Sequence, residues 1–305
     1  MTLNELLEAV RRVEVRTNRL VNDTMVGAYL SHFKGRGMDF EELREYIPGD
    51  EVRDIDWNVT YRMGRPFVKR YREERELPMV LAVDVSASSA FGSAHWTKRE
   101  YAAEIAATLA ISAARSSDKV ALLLFTDHVE LFLPLRKGRR HILRLIRELL
   151  SFGPRRPGTD IPAALSFVNR ILHRRALVFL LTDFLHSFRP ASTSPHAHRG
   201  TLQEIGLTNA RHDLVCVHLH DPRESELPAA GLLTLEDAET GELLEIDSSR
   251  ATVRDRFAAT NAERLAELDR AFRRAGVDTL RFSTTDAFAQ TLQRFFETRR
   301  GKRRG

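Results

Sequence analysis

Apolar positions recur three and four apart over the first thirty residues, at Leu6, Leu7, Val10, Val13, Leu20, Val21, Met25 and Leu30. That spacing predicts a helix from about Asn4 to His32. Phe33 to Met38 interrupts it with two glycines. From Asp39 to Tyr71 short, partly alternating stretches lie between turn signals at Ile47-Pro-Gly-Asp50 and Met63-Gly-Arg-Pro66, which predicts a small β module. In it Trp57 reads as the packing anchor, Asp54, Asp56 and Arg62 as an ion-paired group, and Asp50 as a turn residue. From Leu77 the pattern changes. Runs ending near Asp84, Phe125, Leu181 and Leu219 are continuously apolar, as in strands covered on both faces. They alternate with helical patterns over residues 97–114, 141–150, 161–173 and from about Thr201, after a loop from Ser187 to Gly200.

Val129 to Leu133, just beyond Asp127-His128, predicts an antiparallel edge strand. Leu232 to Ile246 around Thr240-Gly241 predicts an inserted hairpin. A helix over 250–275, a strand over 279–282 and a last helix from Asp286 to about Glu297 complete the order. The fold class expected is therefore α/β: a doubly wound, mostly parallel sheet with one antiparallel edge strand, plus a small N-terminal helix and β module. The expected divisions are 1–76 for that module, 77–298 for the sheet domain, and 299–305 for a basic disordered tail.

Candidate chemistry gathers where the predicted strands end. Asp84, Ser86 and Ser88 follow the first buried run, and spacing by two puts them on one side of an extended turn. Thr159 lies in the Gly158-Thr159-Asp160-Ile161 loop before a helix, and Asp183 follows the strand ending at Leu181-Thr182. Open α/β sheets present such strand ends on one edge, so the five oxygen donors can converge. Hard oxygens carrying few fixed charges suit Mg²⁺, or Mn²⁺ or Ca²⁺, with some of its waters retained. Asp and Ser at strand ends also make turns and caps, and Thr159 by itself reads as an N-cap.

The Asp-x-Ser-x-Ser motif with a later Thr and a later Asp resembles the metal-ion-dependent adhesion site of von Willebrand factor A domains, over about Pro78 to Phe296. The preceding Phe40-Glu-Glu-Leu-Arg-Glu-Tyr-Ile-Pro-Gly-Asp50, with Val52 to Trp57 and Arg62, resembles the bacterial domain-of-unknown-function 58 family. The resemblance implies that Ser86, Ser88 and Thr159 ligate a cation through hydroxyls while Asp84 and Asp183 act directly or through waters. It implies a protein-interaction module, not an enzyme, partnered with a MoxR-type AAA+ ATPase and its client proteins. Many relatives carry membrane helices ahead of this region, and this chain has none.

Composition narrows the alternatives. The 305 residues are 43% hydrophobic and 29% charged with a net charge of +5, as in an ordinary globular protein. One cysteine, Cys216, excludes an intrachain disulfide framework and reads as buried filler. Met1-Thr-Leu-Asn-Glu-Leu-Leu-Glu8 has early acids instead of a basic-then-apolar leader, so the expectation is cytoplasmic. The basic clusters Arg136–Arg140 and Arg299–Arg304 lack interleaved aromatics, which weighs against nucleic acid as a partner. His196/His198 and His218/His220 have alternate spacing without an acidic or Cys companion, so they read as ordinary histidines, and Asp221 as a turn residue. An Asp beside Mg²⁺ also allows a metal-dependent hydrolase or phosphoryl-transfer enzyme. Ser at 86 in place of a second carboxylate, and the lack of a Gly-Lys-Ser/Thr phosphate loop, weigh against that alternative.

Overall fold

A computed structural model describes residues 3–21, 38–73, 78–185 and 195–302. In chain order they hold α1 (Leu3–Leu20), β1 (Met38–Glu45), α2 (Trp57–Met63), β2 (Phe67–Glu73), β3 (Met79–Asp84), α3 (Lys98–Arg115), β4 (Val120–Phe125), β5 (Val129–Arg136) and α4 (Arg139–Ser151). Then come α5 (Ile161–Ile171), β6 (Leu177–Thr182), α6 (Pro195–Arg211), β7 (Asp213–His220), β8 (Leu232–Glu236), β9 (Leu243–Asp247), α7 (Ala251–Ala275), β10 (Asp278–Ser283) and α8 (Phe288–Lys302).

The continuous apolar runs pair into one six-stranded sheet in the order β10-β7-β6-β3-β4-β5. Every neighbouring pair is parallel except β4 with β5, which is the doubly wound, mostly parallel sheet with one antiparallel edge that the sequence predicts. Alternate side chains explain the layers. Leu81 and Val83 of β3 face one core with α1, α3, α4 and α8, while Val80 and Ala82 face the other with α5, α6 and α7. All six residues of β3 are buried. The chain runs from β3 to β4 on one side and later returns to β6 on the other. Between β3 and β6 the winding therefore reverses, and the crevice that such a reversal opens lies at their carboxyl ends.

Helix α3 brings its N-terminus to that crevice. Thr97 accepts from the Glu100 amide and the Glu100 side chain reaches back, a capping box that contributes about 1 kcal/mol. Alanines 102, 103, 106, 107, 110 and 113 let the helix seat closely on the sheet, and Thr108 and Ser112 satisfy their buried hydroxyls on carbonyls one turn back.

Several sequence expectations shift. Val10, Val13, Leu20 and Val21 pack on the core beside α3 and α4, with Arg139 paired to Glu14 at 2.7 Å. Helix α1 thus belongs to the outer layer of the sheet domain, and the expected 1–76 unit divides after it. The predicted continuation to His32 lies outside the described residues. In the β module, β1 and β2 pair antiparallel, but the 52–63 stretch forms a 3₁₀ turn and α2 instead of a strand. Asp56 accepts from the Asn58 and Val59 amides, a cap that starts a helix where apolar alternation alone pointed to a strand. Trp57 is 65% exposed, so it does not anchor the packing. The ionic partner of Asp56 is Lys69, at 3.0 Å, in place of Arg62. Asp50 is a turn residue, accepting from the Ile47 amide and from Arg44. Helix α6 begins at Pro195, ahead of the expected Thr201. Helix α8 runs to Lys302, past the expected tail boundary at 299, with Arg299 held by Asp213 and Asp278. Among the described residues no helix is long and apolar enough to cross a membrane.

Candidate functional site

Asp84, Ser86, Ser88 and Asp183 meet at the β3–β6 crevice. The Asp84 carboxylate is fixed at both oxygens: Oδ1 accepts from the Ser86 amide at 2.9 Å, and Oδ2 accepts from the Thr182 hydroxyl at 2.6 Å. The Ser86 hydroxyl also faces Asp84, and the Ser88 hydroxyl faces Asp183. Between them the two serine oxygens lie 3.1 Å apart. The result is a continuous chain of oxygens from one carboxylate to the other. Burial and the neighbouring Asp183 push Asp84 up to about 7, against the hydrogen bonds from Thr182 and Ser86.

Asp183 has a different fate. Its Oδ2 accepts from the Lys98 ammonium at 2.6 Å and its Oδ1 from the Leu185 amide at 3.0 Å. Lys98 opens α3 and is almost completely buried. Its ammonium also donates to Glu224, which sits in the helical turn Pro222–Ser225 capped by Asp221. Burial would raise Asp183, but Lys98 and its hydrogen bonds hold it below the usual carboxylate range. Burial would likewise strip Lys98 of its proton, and the two acids hold it protonated. For Glu224 burial outweighs the pull of Lys98 and the carboxyl is raised, and the Lys98 ammonium is shared between Asp183 and Glu224. Asp84, Lys98, Thr182 and Asp183 line a cavity of about 10 Å³, the room one water needs.

Thr159 comes from the other side. The Ala87 amide donates to the Pro157 carbonyl at 2.9 Å, and the Asp160 amide to that of Thr126 at 2.9 Å, so the 155–160 loop is tied to the serine turn. Asp160, not Thr159, caps α5 by accepting from the Ala163 amide. The Thr159 hydroxyl is therefore free of cap duty, and it donates to Glu239 at 2.8 Å. The structure thus brings four of the five sequence-derived residues into one chain and sets the fifth on an adjoining loop, engaged by a hairpin tip.

The family profile described as "Protein of unknown function DUF58" matches residues 42–267. The chain belongs to this family. The DUF58 chain is also 30% identical over 298 residues to the uncharacterized proteins Rv1480 of Mycobacterium tuberculosis and Mb1516 of Mycobacterium bovis, covering 97% of this chain and 90% of each relative. Similar solved structures include the conserved hypothetical protein BatB from Bacteroides thetaiotaomicron, with 13% identity, TM-score 0.45, and coverage of 74% of this chain and 99% of that one. Another is the von Willebrand factor type A structure from Catenulispora acidiphila, with 14% identity, TM-score 0.43, and coverage of 76% and 44%. The strand order, not these modest overlaps, carries the fold.

A hard cation fits the donors of the DUF58 site. The Ser86 and Ser88 hydroxyls lie 3.1 Å apart beside Asp84 and Asp183, and each hydroxyl oxygen keeps lone pairs that a cation can use. Among the described residues no three His, Cys, Asp or Glu side chains form a metal-holding group, so a cation here relies on hydroxyls and retained waters.

The remaining candidates resolve simply. Cys216 is buried and free, and burial raises its thiol. His218 and His220 stack at 5.6 Å, with burial holding both below the ordinary imidazole range. The side chains of His196 and His198 lie outside the described residues. Asp221 does more than turn the chain: it also accepts from Ser93 at 2.8 Å and Thr284 at 3.0 Å, joining three loops of the crevice. Sequence reasoning missed Lys98, Thr182, Glu224 and Glu239. Thr182 could have been read from its place beside Asp183, and Glu224 from the Asp221-x-x-Glu224 cap signature. Lys98 and Glu239 carried no local signal.

Proposed function

We propose that this DUF58 protein is a non-enzymatic, cytoplasmic interaction module that grips a partner's acidic side chain through a divalent cation. Ser86, Ser88 and Thr159 hold the cation by their hydroxyls, and Asp84 and Asp183 hold its waters. The cation is Mg²⁺, or Mn²⁺ or Ca²⁺ in its place. The observation that carries this reading is the gathering of Asp84, Ser86, Ser88 and Asp183 at the β3–β6 crevice, with the two serine hydroxyls 3.1 Å apart between fixed carboxylates. When bound, the cation supplies an electrophilic centre with a position open to an anionic oxygen. This chain's own residues do the positioning. Lys98 fixes Asp183, Thr182 and the Ser86 amide fix Asp84, and the Ala87–Pro157 bond sets the distance between the serine turn and the Thr159 loop.

The partner in this proposal is a MoxR-type AAA+ ATPase, together with the clients it remodels. The test is co-purification of the full-length chain with that ATPase in Mg²⁺ and in chelator. Mg²⁺ should strengthen capture by wild type, and Asp84→Ala and Ser88→Ala should each lose that gain while melting as cooperatively as wild type. Capture of equal strength with and without chelator, in all three proteins, would sink the reading.

A further inference from the structure

The contact between Thr159 and Glu239 joins two parts of the chain 80 residues apart. Glu239 sits at the tip of the β8–β9 hairpin, an insertion that forms its own two-stranded sheet outside the main one. The tip is built to present it. Asp237 Oδ1 accepts from the amides of Glu239 and Thr240 at 2.9 and 3.1 Å. Gly241 closes the turn by donating to the Asp237 carbonyl at 2.7 Å with φ of 72°, a conformation that glycine adopts without strain. The arms behind the tip carry little burial, since Leu232, Leu243 and Leu244 are all exposed. The base is firm: Ser248 is fully buried, its hydroxyl donates to the Gly231 carbonyl at 2.7 Å, and it accepts from the Ala230 amide. An anchored base, exposed arms and a carboxylate at the tip describe an arm that can leave the crevice without disturbing the sheet.

We propose that Glu239 is the own-chain carboxylate of this site, filling the position offered to a partner's acid until that acid displaces the hairpin. The inference rests on the cation reading above. Its chemistry follows from the direction of the bond. Thr159 gives its only proton to Glu239, which leaves the hydroxyl lone pairs for a cation and sets an anionic oxygen beside it. The occupant expected to compete is another carboxylate, on an acidic peptide or protein surface.

Mn²⁺ alone is the probe. Binding to the full chain is followed by electron paramagnetic resonance, and the water-proton relaxivity of the bound ion reports how many waters it keeps. Wild type should bind one Mn²⁺, and Asp84→Ala should lose it. Glu239→Gln should bind about tenfold more weakly and show higher relaxivity, by about one more retained water. Added acetate should lower relaxivity at a smaller concentration in Glu239→Gln than in wild type. A readout independent of affinity is hydrogen exchange: Mn²⁺ should slow the amides of residues 232–247 in wild type and leave them unchanged in Glu239→Gln. If wild type binds Mn²⁺ and Asp84→Ala does not, while Glu239→Gln matches wild type in affinity, relaxivity and exchange, this inference falls and the cation site stands. If wild type binds no Mn²⁺, both fall together.

Discussion

The two sides of the crevice are made differently. The floor, Asp84 and Asp183, sits at the ends of strands β3 and β6, buried, with every carboxylate oxygen held by a protein donor. The rim, Thr159 and Glu239, is half-buried and joins a loop to a hairpin tip, with the Thr159 hydroxyl donating to Glu239. A charge in the floor is costly to uncover or unpair, whereas the rim bond can be exchanged with water for little. The floor is thus suited to fixing geometry and the rim to admitting and releasing a partner.

The comparison can be broken most severely at Lys98. Lys98→Met keeps the side-chain length but leaves buried Asp183 and half-buried Glu224 without their ammonium. Loss of one partner of a buried ion pair costs about 3–5 kcal/mol, read by urea denaturation monitored by circular dichroism. A loss below about 1 kcal/mol would mean that water has reached the floor and that the contrast with the rim is false.

A smaller effect comes from the far end of β7. His212 is buried with both ring nitrogens unpartnered, and burial, then Arg211 and Arg175, holds its pKa below the ordinary value. The unfolded chain therefore takes up the proton first. The contribution of His212 to stability should be flat above about pH 6.5 and fall below it, no more steeply than about 1.4 kcal/mol per pH unit. His212→Gln should make that acid limb shallower in melts run across pH 4.5–7.5, leaving the part that His218 and His220 supply. An acid limb unchanged in His212→Gln would remove His212 as its source.

The smallest expected change is at the rim. Asp237→Ala removes the two amide contacts that present Glu239, yet stability should stay within about 0.5 kcal/mol of wild type, as for other surface positions. Exchange of the hairpin amides should quicken. A loss near that of Lys98→Met would place the hairpin in the cooperative core and erase the distinction drawn here.

Much of the sheet was legible because burial on both faces leaves continuous apolar runs, and β3, β4, β6 and β7 appear where those runs lie. The edge strand β5 and the β8–β9 hairpin were readable from turn chemistry. Helix α2 was not, since its seven residues are largely exposed and have no buried stripe to set a period. Asp56, its N-cap, and Gly64, its left-handed C-cap, were the available signals. The basic end of the chain misled for a related reason: Arg299 looks like a tail residue until Asp213 and Asp278, far away in sequence, are seen to hold it.

For the site, sequence alone determined the residue types and their places at strand ends, because topology sends every parallel strand's carboxyl end to one edge. Asp84, Ser86, Ser88 and Asp183 needed no more than that to be named. Only the tertiary structure could decide how their charge is balanced. Lys98 enters from the start of a helix, Glu224 from a turn 126 residues further on, and Glu239 from a hairpin inserted beyond β7. Such pairings depend on distances through space, which hydrophobic periodicity along the chain does not encode.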